Sequence, residues 1–157
     1  IDEQRLNNFK SIIIHENDIL MCLTGGTIGK IIKVAKVGEP LLQNYRVGHF
    51  SPIDKESMNN NYMFYLMSSE VIVGQIFYDV RETGQPNIGM EDMNKMRICI
   101  PPMSEQQKIA SYLDEYTQLI DKTISIEKKR IQLLKEYHQS LISSVVTGKI
   151  RISEDMI

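Results

Sequence analysis

The last third of the chain most constrains its fold, because residues 104–157 contain no proline and a single glycine, Gly148. The prolines at 101–102 would stop any helix that ran in from upstream. Ser104 and Gln107 have the spacing of a capping box, and Gly148 can adopt the left-handed conformation that follows a last helical turn. The sequence therefore predicts one helix of about 43 residues, roughly 65 Å long at 1.5 Å per residue.

Apolar side chains recur along this predicted helix in the heptad pattern of a coiled coil. Seven of the ten heptad positions are Leu, Ile or Val, and Thr117, Glu127 and His138 interrupt them. Because a lone helix cannot bury such a row, the pattern predicts pairing with a helix from another chain or from a missing part of the same chain. The alternative is a helix that lies on its own globular domain. The predicted pairing residues, called the seam below, are Leu113, Ile120, Ile124, Ile131, Leu134, Leu141 and Val145.

The preceding region mixes strand and helix signals. Runs rich in β-branched or apolar residues predict strands at 18–24, 28–36, 41–47 and 96–100. Apolar residues at helical spacing predict a helix over 58–77, and residues 92–95 predict a turn or a helical entry to the last strand. The expected fold class is an α/β (α+β) domain over 1–103, then a long coiled-coil-forming helix over 104–150 and a tail over 151–157.

Charge limits the ways in which this chain could bind nucleic acid. The formal net charge of −2 excludes a histone-like basic coat, so any DNA contact must come from local charge. Between residues 24 and 50 the local balance is +3, which fits either a solvated strand face or a patch that follows phosphates. The candidate phosphate contacts in this stretch are Lys30, Lys33 and Lys36, and the candidate base-reading side chains are Gln43, Asn44 and Arg46.

Two predicted loops contain further candidate DNA-binding residues. Residues 24–30 are glycine-rich but miss the phosphate-loop pattern at two positions, so they predict either a tight turn between strands or a loop that approaches a nucleic-acid backbone through Thr24, Thr27 and Lys30. Residues 81–89 form a polar stretch that is either an ordinary loop or a recognition loop. Its candidate DNA-binding residues are Arg81, Thr83, Gln85 and Asn87.

The sequence offers little support for a catalytic or metal-binding site. The common nucleophile, zinc-protease and dinucleotide motifs are absent from the sequence, and Cys22 and Cys99 lie too far apart for a zinc motif. We therefore expect no catalytic residue, no metal and no cofactor. No apolar run approaches the roughly 20 residues of a membrane span, so we expect a soluble protein of a reducing cytoplasm. The start at Ile1 suggests a piece of a longer unit.

Several segments together carry a family resemblance. The segment Ile-Pro-Pro-Met-Ser-Glu-Gln-Gln-Lys-Ile at 100–109, with the segments at 131–137 and 145–150, closely resembles the conserved helical region of type I restriction-modification specificity subunits. Upstream, Gly-Thr-Ile-Gly-Lys at 26–30 and Gly-Gln-Pro-Asn-Ile at 84–88 look like the end of the target recognition domain of that family. The chain is thus expected to hold the C-terminal part of such a domain and the spacer helix.

The resemblance implies a non-catalytic reader of double-stranded DNA. Its implied partners are DNA methyltransferase (modification) subunits, a restriction subunit, and itself or a second half-subunit through the long helix. Intact subunits of the family resemble two copies of such a unit, whereas this chain has one, without the usual opening strands. Two alternatives stay open: an assembly module whose helix docks a methyltransferase without reading DNA, and a fragment of a fused methyltransferase/endonuclease.

Overall fold

The computed structural model describes Phe9 and residues 12–80 and 87–153. The candidates Arg81, Thr83 and Gln85 lie outside these described residues, as do the last four positions of the tail. Two compact units are present, Ile1–Ser111 and Tyr112–Ile157.

Short antiparallel strands form the centre of the first unit. In the described residues the strands are β1 (Ile13–Ile14), β2 (Ile19–Cys22), β3 (Ile31–Lys33), β4 (Leu41–Leu42) and β5 (Val47–Phe50). The strand order β3-β2-β5 makes a three-stranded sheet, while β1 pairs with β4. Met21 of the central strand faces Ile31 on one side and Gly48 on the other. The strands β2 and β3 confirm the predictions for 18–24 and 28–36, and within 41–47 the ladder is confined to Leu41–Leu42 and to Val47, where β5 begins.

In the described residues the helices are α1 (Asn60–Ser68), α2 (Glu70–Val80), α3 (Met90–Lys95) and α4 (Met103–Val146). Side chains of α1 and α2 complete the core of the sheet. Burial of apolar side chains joins the sheet to α1 and α2, and it provides the main stabilisation of a core of this size. The buried cluster consists of Met21, Ile28, Met67, Ile72, Ile76 and Ile88.

The helix predicted over 58–77 is interrupted at Ser69. Ser69 has an extended backbone, with ψ near 148°, and its hydroxyl donates to the carbonyl of Leu66 at 2.6 Å. Its own carbonyl accepts from the amides of Ile72 and Val73, so a second helix starts there. A serine that satisfies backbone groups locally can end one helix and begin the next. The prediction of one continuous helix was therefore wrong.

The prediction of a strand at 96–100 was wrong, because this segment pairs with no other strand in the described part of the chain. Backbone groups of the segment hydrogen-bond to side chains instead. The Gln75 amide bonds both the N–H of Arg97, at 2.9 Å, and its carbonyl, at 3.1 Å. The Tyr62 hydroxyl donates to the carbonyl of Cys99 at 2.8 Å. Burial raises the pKa of this tyrosine. The segment before it, predicted as a turn or helical entry, is the helix α3.

The long C-terminal helix is confirmed, with one correction at its start. The amide of Gln106 donates to the carbonyl of Pro102 at 3.0 Å, so the helix begins at Met103 and Ser104 lies within its first turn. The prediction of a capping box with Ser104 as the N-cap residue was therefore wrong. At the other end Gly148 has φ +73°, which confirms the predicted left-handed glycine after the last turn. No helix in the described part of the chain is long and apolar enough to cross a membrane.

Candidate nucleic-acid interface

The connection between β2 and β3 is the first wall of a polar recess. Residues Gly25–Thr27 form a single 3-10 turn, and Gly25 and Gly29 both have φ near +78°, a conformation that strongly favours glycine. Thr24 forms an isolated antiparallel bridge with Asn87, which ties this turn to the chain that follows the α2 region. The structure thus has a tight turn between strands here, as one of the two predictions for this loop expected.

The connection between β4 and β5 is the opposite wall. Within this turn the amide of Val47 donates to the carbonyl of Asn44 at 2.9 Å, and the amide of Arg46 donates to the Asn44 side chain at 3.0 Å. The Gln43 side chain donates to the carbonyl of Val47 at 2.6 Å. The amide of Leu23 in the first wall donates to the carbonyl of Arg46 at 2.9 Å. Local side-chain bonds of this kind hold a turn in one conformation.

A recess of about 650 Å³ lies between the two walls. Its lining combines hydroxyl, amide and guanidinium groups with glycine backbone, which leaves room for another molecule to approach the main chain. The lining residues are Cys22, Thr24, Gly25, Thr27, Tyr45, Arg46, Val47 and Asn87. A second recess of about 700 Å³ shares Thr24, Tyr45, Val47 and Asn87 and continues to the more apolar side chains of Leu23, Phe50 and Met93.

Positive charge is available at this recess. Arg46 is exposed, and in the described part of the chain no carboxylate pairs with its guanidinium. Lys30 is also exposed and its charge acts on Cys22 in the recess wall. The recess therefore presents hydrogen-bond donors and positive charge to solvent, which is the chemistry that an anionic polymer requires.

The thiol of Cys22, which lines this recess, has a lowered pKa. The Thr27 hydroxyl, 3.1 Å from the Cys22 sulfur, lowers the pKa of the thiol, and a hydrogen bond with the Thr24 backbone and the charge of Lys30 act in the same direction. Burial opposes this shift. A lowered thiol pKa increases the thiolate fraction near neutral pH.

The predicted DNA-binding residues fall into several groups. Thr24, Thr27, Arg46 and Asn87 line the same recess, and Gln43 lines its neighbour. Asn44 belongs to the turn, Lys30 and Lys36 are exposed, and Lys33 lies outside both recesses. The Lys33 ammonium donates to Asn61 at 3.0 Å and lies 5.8 Å from the ring centroid of Phe64. A role in DNA binding stays a prediction for each of them.

Two lining residues with polar or reactive side chains, Tyr45 and Cys22, were not predicted from the sequence. Tyr45 is 81% exposed at the tip of the second turn, and Cys22 lies at the end of β2. An aromatic residue beside an arginine in the Asn-Tyr-Arg turn was the available signal for Tyr45. Nothing in the sequence around Cys22 marked it, because its thiol becomes distinctive only through its contact with Thr27.

The helix of the second unit has an exposed apolar surface. Five of the seven seam residues are exposed, as Ile120, Ile131 and Leu134 illustrate at 55%, 53% and 58%, and the end residues Leu113 and Val145 are half-buried. At the seam interruption Glu127, the carboxylate lies 3.7 Å from Arg130 of the next turn. A second apolar row, one residue earlier in the heptad, is equally exposed. This row, called the second stripe, consists of Tyr112, Tyr116, Leu119, Ile126, Leu133 and Tyr137.

Comparison with known proteins places these features in a family context. Residues 1–136 match the model of the type I restriction modification DNA specificity domain. The MjaVIII and MjaIX type I restriction enzyme specificity subunits of Methanocaldococcus jannaschii are each 27% identical to this chain, over 97% and 98% of it and over 35% and 34% of their own length. The EcoAI specificity subunit of Escherichia coli is 28% identical over 85% of this chain and 23% of its own length. The chain spans about a third of the length of the first two relatives.

Proposed function

This chain belongs to the type I restriction modification DNA specificity domain family, and we propose that it is part of a non-catalytic subunit that reads a DNA sequence for partner enzymes. The partners would be methyltransferase (modification) subunits and a restriction subunit, and the subunit would direct their methylation and cleavage. Such a subunit acts in the cytoplasm, where it meets double-stranded DNA.

The recess between the two turns is the observation that carries this proposal. It gathers Thr24, Thr27, Arg46 and Asn87, four of the residues whose types favour DNA contacts, around one opening. Both walls are held by backbone and side-chain hydrogen bonds, so the backbone that carries these groups is positioned before any ligand binds. Positioned donors lose little entropy on binding and can therefore discriminate between similar ligands.

The side-chain types suggest that some residues of this surface contact bases and others contact phosphates. Arg46 and Asn87 have the forked geometry that reads guanine and adenine edges, and Gln43 and Asn44 have related amides. The hydroxyls of Thr24 and Thr27 and the ammonium of Lys30 fit phosphate oxygens, with Lys33 at the end of β3 and Lys36 beyond it. Arg81, Thr83 and Gln85 are included in the proposed DNA surface on their residue type alone.

The long helix supports the proposed assembly. We infer that the seam pairs with a matching helix, from a second copy or a second half-subunit, because most of its apolar side chains are exposed in the single chain. The second stripe makes the apolar face wider than a two-helix seam needs. A modification subunit could then pack on the same helix beside the first partner.

Methylome sequencing tests this function directly. Cells that carry the gene and its modification partners should methylate one split sequence motif, and deletion of the gene should abolish methylation at that motif. If methylation of every motif in the genome persists unchanged after deletion, the chain does not direct a methyltransferase.

The exposed face of the helix also favours a second candidate, an assembly module that docks a methyltransferase without reading DNA. In that case Arg46→Ala would leave the methylated motif and the affinity of the assembled complex unchanged, whereas loss of the helix seam would still abolish methylation. The DNA-reading function predicts that both changes matter. The two candidates therefore differ in the outcome of a single substitution.

A further inference from the structure

Tyr45 and Arg46 form a pair at the tip of the second turn. The Arg46 Nε donates to the Tyr45 hydroxyl at 3.0 Å, and the guanidinium carbon lies 5.4 Å from the centroid of the tyrosine ring. Both side chains are exposed, so burial does not enforce the contact. An arginine beside an aromatic ring gains cation–π attraction in addition to the hydrogen bond.

This hydrogen bond leaves the arginine with one free edge. The Nε is occupied by Tyr45, while the two terminal nitrogens, Nη1 and Nη2, have no protein partner in the described part of the chain. Those two nitrogens form the end-on fork that can donate to both O6 and N7 of a guanine. A free arginine would have to give up side-chain entropy to adopt such an arrangement.

We infer that Tyr45 is a specificity-determining positioning residue, which holds the Arg46 guanidinium by its Nε so that Nη1 and Nη2 read one guanine end-on. This inference rests on the proposed DNA-reading function and adds a residue that reads no base itself. The turn supports it, because the Arg46 amide is bonded to the Asn44 side chain and the Arg46 carbonyl to the Leu23 amide. Backbone and guanidinium are thus both restrained.

The test uses the full-length chain assembled with its modification subunits. The probe is a duplex with the motif that methylome sequencing identifies, in which each guanine in turn is replaced by 7-deazaguanine, which lacks the N7 acceptor. Arg46→Ala should weaken binding of the unmodified duplex about 5- to 150-fold and remove the sensitivity to one of these replacements. Tyr45→Phe keeps the ring but loses the hydroxyl, and should weaken binding about 3- to 10-fold with reduced sensitivity at the same guanine.

A double-substitution cycle separates positioning from direct contact. In the Arg46→Ala background, Tyr45→Phe should change affinity less than about twofold, because there is no guanidinium left to position. Tyr78→Phe is the matched control, since Tyr78 is 82% exposed in the same unit and lies outside both recesses. Melting curves of each variant confirm that it is folded.

The outcomes distinguish this inference from the function on which it rests. If Arg46→Ala weakens binding but Tyr45→Phe does not, or if Tyr45→Phe costs the same in both backgrounds, the positioning role is wrong while DNA reading stands. If Arg46→Ala has no effect on the motif duplex, the reading role of the recess and the positioning role both fail.

Discussion

Cys22 offers a probe of the recess at the scale of a single residue. Its lowered thiol pKa predicts that alkylation by iodoacetamide reaches half its maximal rate at a pH below a thiol's ordinary value. Because Cys22 lines the recess, duplex DNA that carries the motif should slow its alkylation. Mass spectrometry of the assembled complex measures both effects.

Cys99 is the internal control for this experiment, since it is exposed and lines neither recess. Motif DNA should leave its alkylation rate unchanged. Equal protection of both thiols would indicate a general effect of DNA, and an unprotected Cys22 would place the bound DNA elsewhere.

Gln106 makes a second prediction at this scale, which concerns stability. Its fully buried side chain accepts from the amide of Asn59 at 2.8 Å and donates to the carbonyls of Ser57, at 2.9 Å, and Pro101, at 2.8 Å. Gln106→Ala removes a buried side chain and leaves three part-buried backbone groups without this partner, so we expect the free energy of unfolding to fall by about 1–3 kcal/mol.

Urea denaturation measures this change, and Gln107→Ala is the matched control because its side chain is exposed one position along the same helix. Gln106→Glu should destabilise at least as much as Gln106→Ala, since its buried carboxylate loses both donations and faces the carbonyl oxygens of Ser57 and Pro101. Equal midpoints for Gln106→Ala and Gln107→Ala would contradict the role of this side chain.

Individual residues show where sequence reasoning reached its limit. The type and position of Arg46 predicted a base reader, and the structure adds that it lines a recess with Thr24, Thr27 and Asn87. The distances that bring residues 24 and 87 together depend on tertiary pairing, which local patterns do not encode. Tyr45 was missed although it neighbours Arg46 in the sequence, because the side-chain hydrogen bond that joins the two is not evident from residue types alone.

Among the elements, the long helix was the best predicted. Its proline-free length, heptad pattern and terminal Gly148 are local signals that agree with one another. By contrast, the extended segment at 96–100 has the composition of a strand but meets side chains of Gln75 and Tyr62 instead of a neighbouring strand. Ser69 similarly divides two helices through hydrogen bonds that no apolar spacing reveals.

The seam of the long helix supports a prediction about assembly. Leu134→Glu places a charge in the middle of an apolar row, and burying an unpaired carboxylate costs well over 1.4 kcal/mol. The dissociation constant for helix pairing should therefore rise at least about tenfold. Analytical ultracentrifugation of the full-length chain measures it.

Gln118→Glu is the control for this prediction, because it adds the same charge at an exposed helix position outside both the seam and the second stripe. It should leave the association unchanged. A wild-type chain that stays monomeric at tens of micromolar, or a Leu134→Glu variant that associates normally, would show that the seam is not the pairing surface.

For the whole molecule, we propose that the first unit reads DNA and that the helix joins it to partners, and the family match and the recess support this proposal. Substitution of a base-reading residue should then affect DNA affinity differently from substitution of a residue that contacts phosphate. Arg46→Ala should cost about 1–3 kcal/mol on the motif duplex and little on a scrambled one. Lys30→Ala should weaken both duplexes alike and reduce the salt slope by about one unit.

The most direct test measures the affinity of the assembled complex for motif and scrambled duplexes over a series of salt concentrations. The variants are Arg46→Ala, Lys30→Ala and, as a control, Lys55→Ala, an exposed lysine of the same unit that lines neither recess. The account predicts lost discrimination for the first, uniform weakening for the second and wild-type binding for the third. Unchanged affinity and unchanged discrimination for both Arg46→Ala and Lys30→Ala would contradict it.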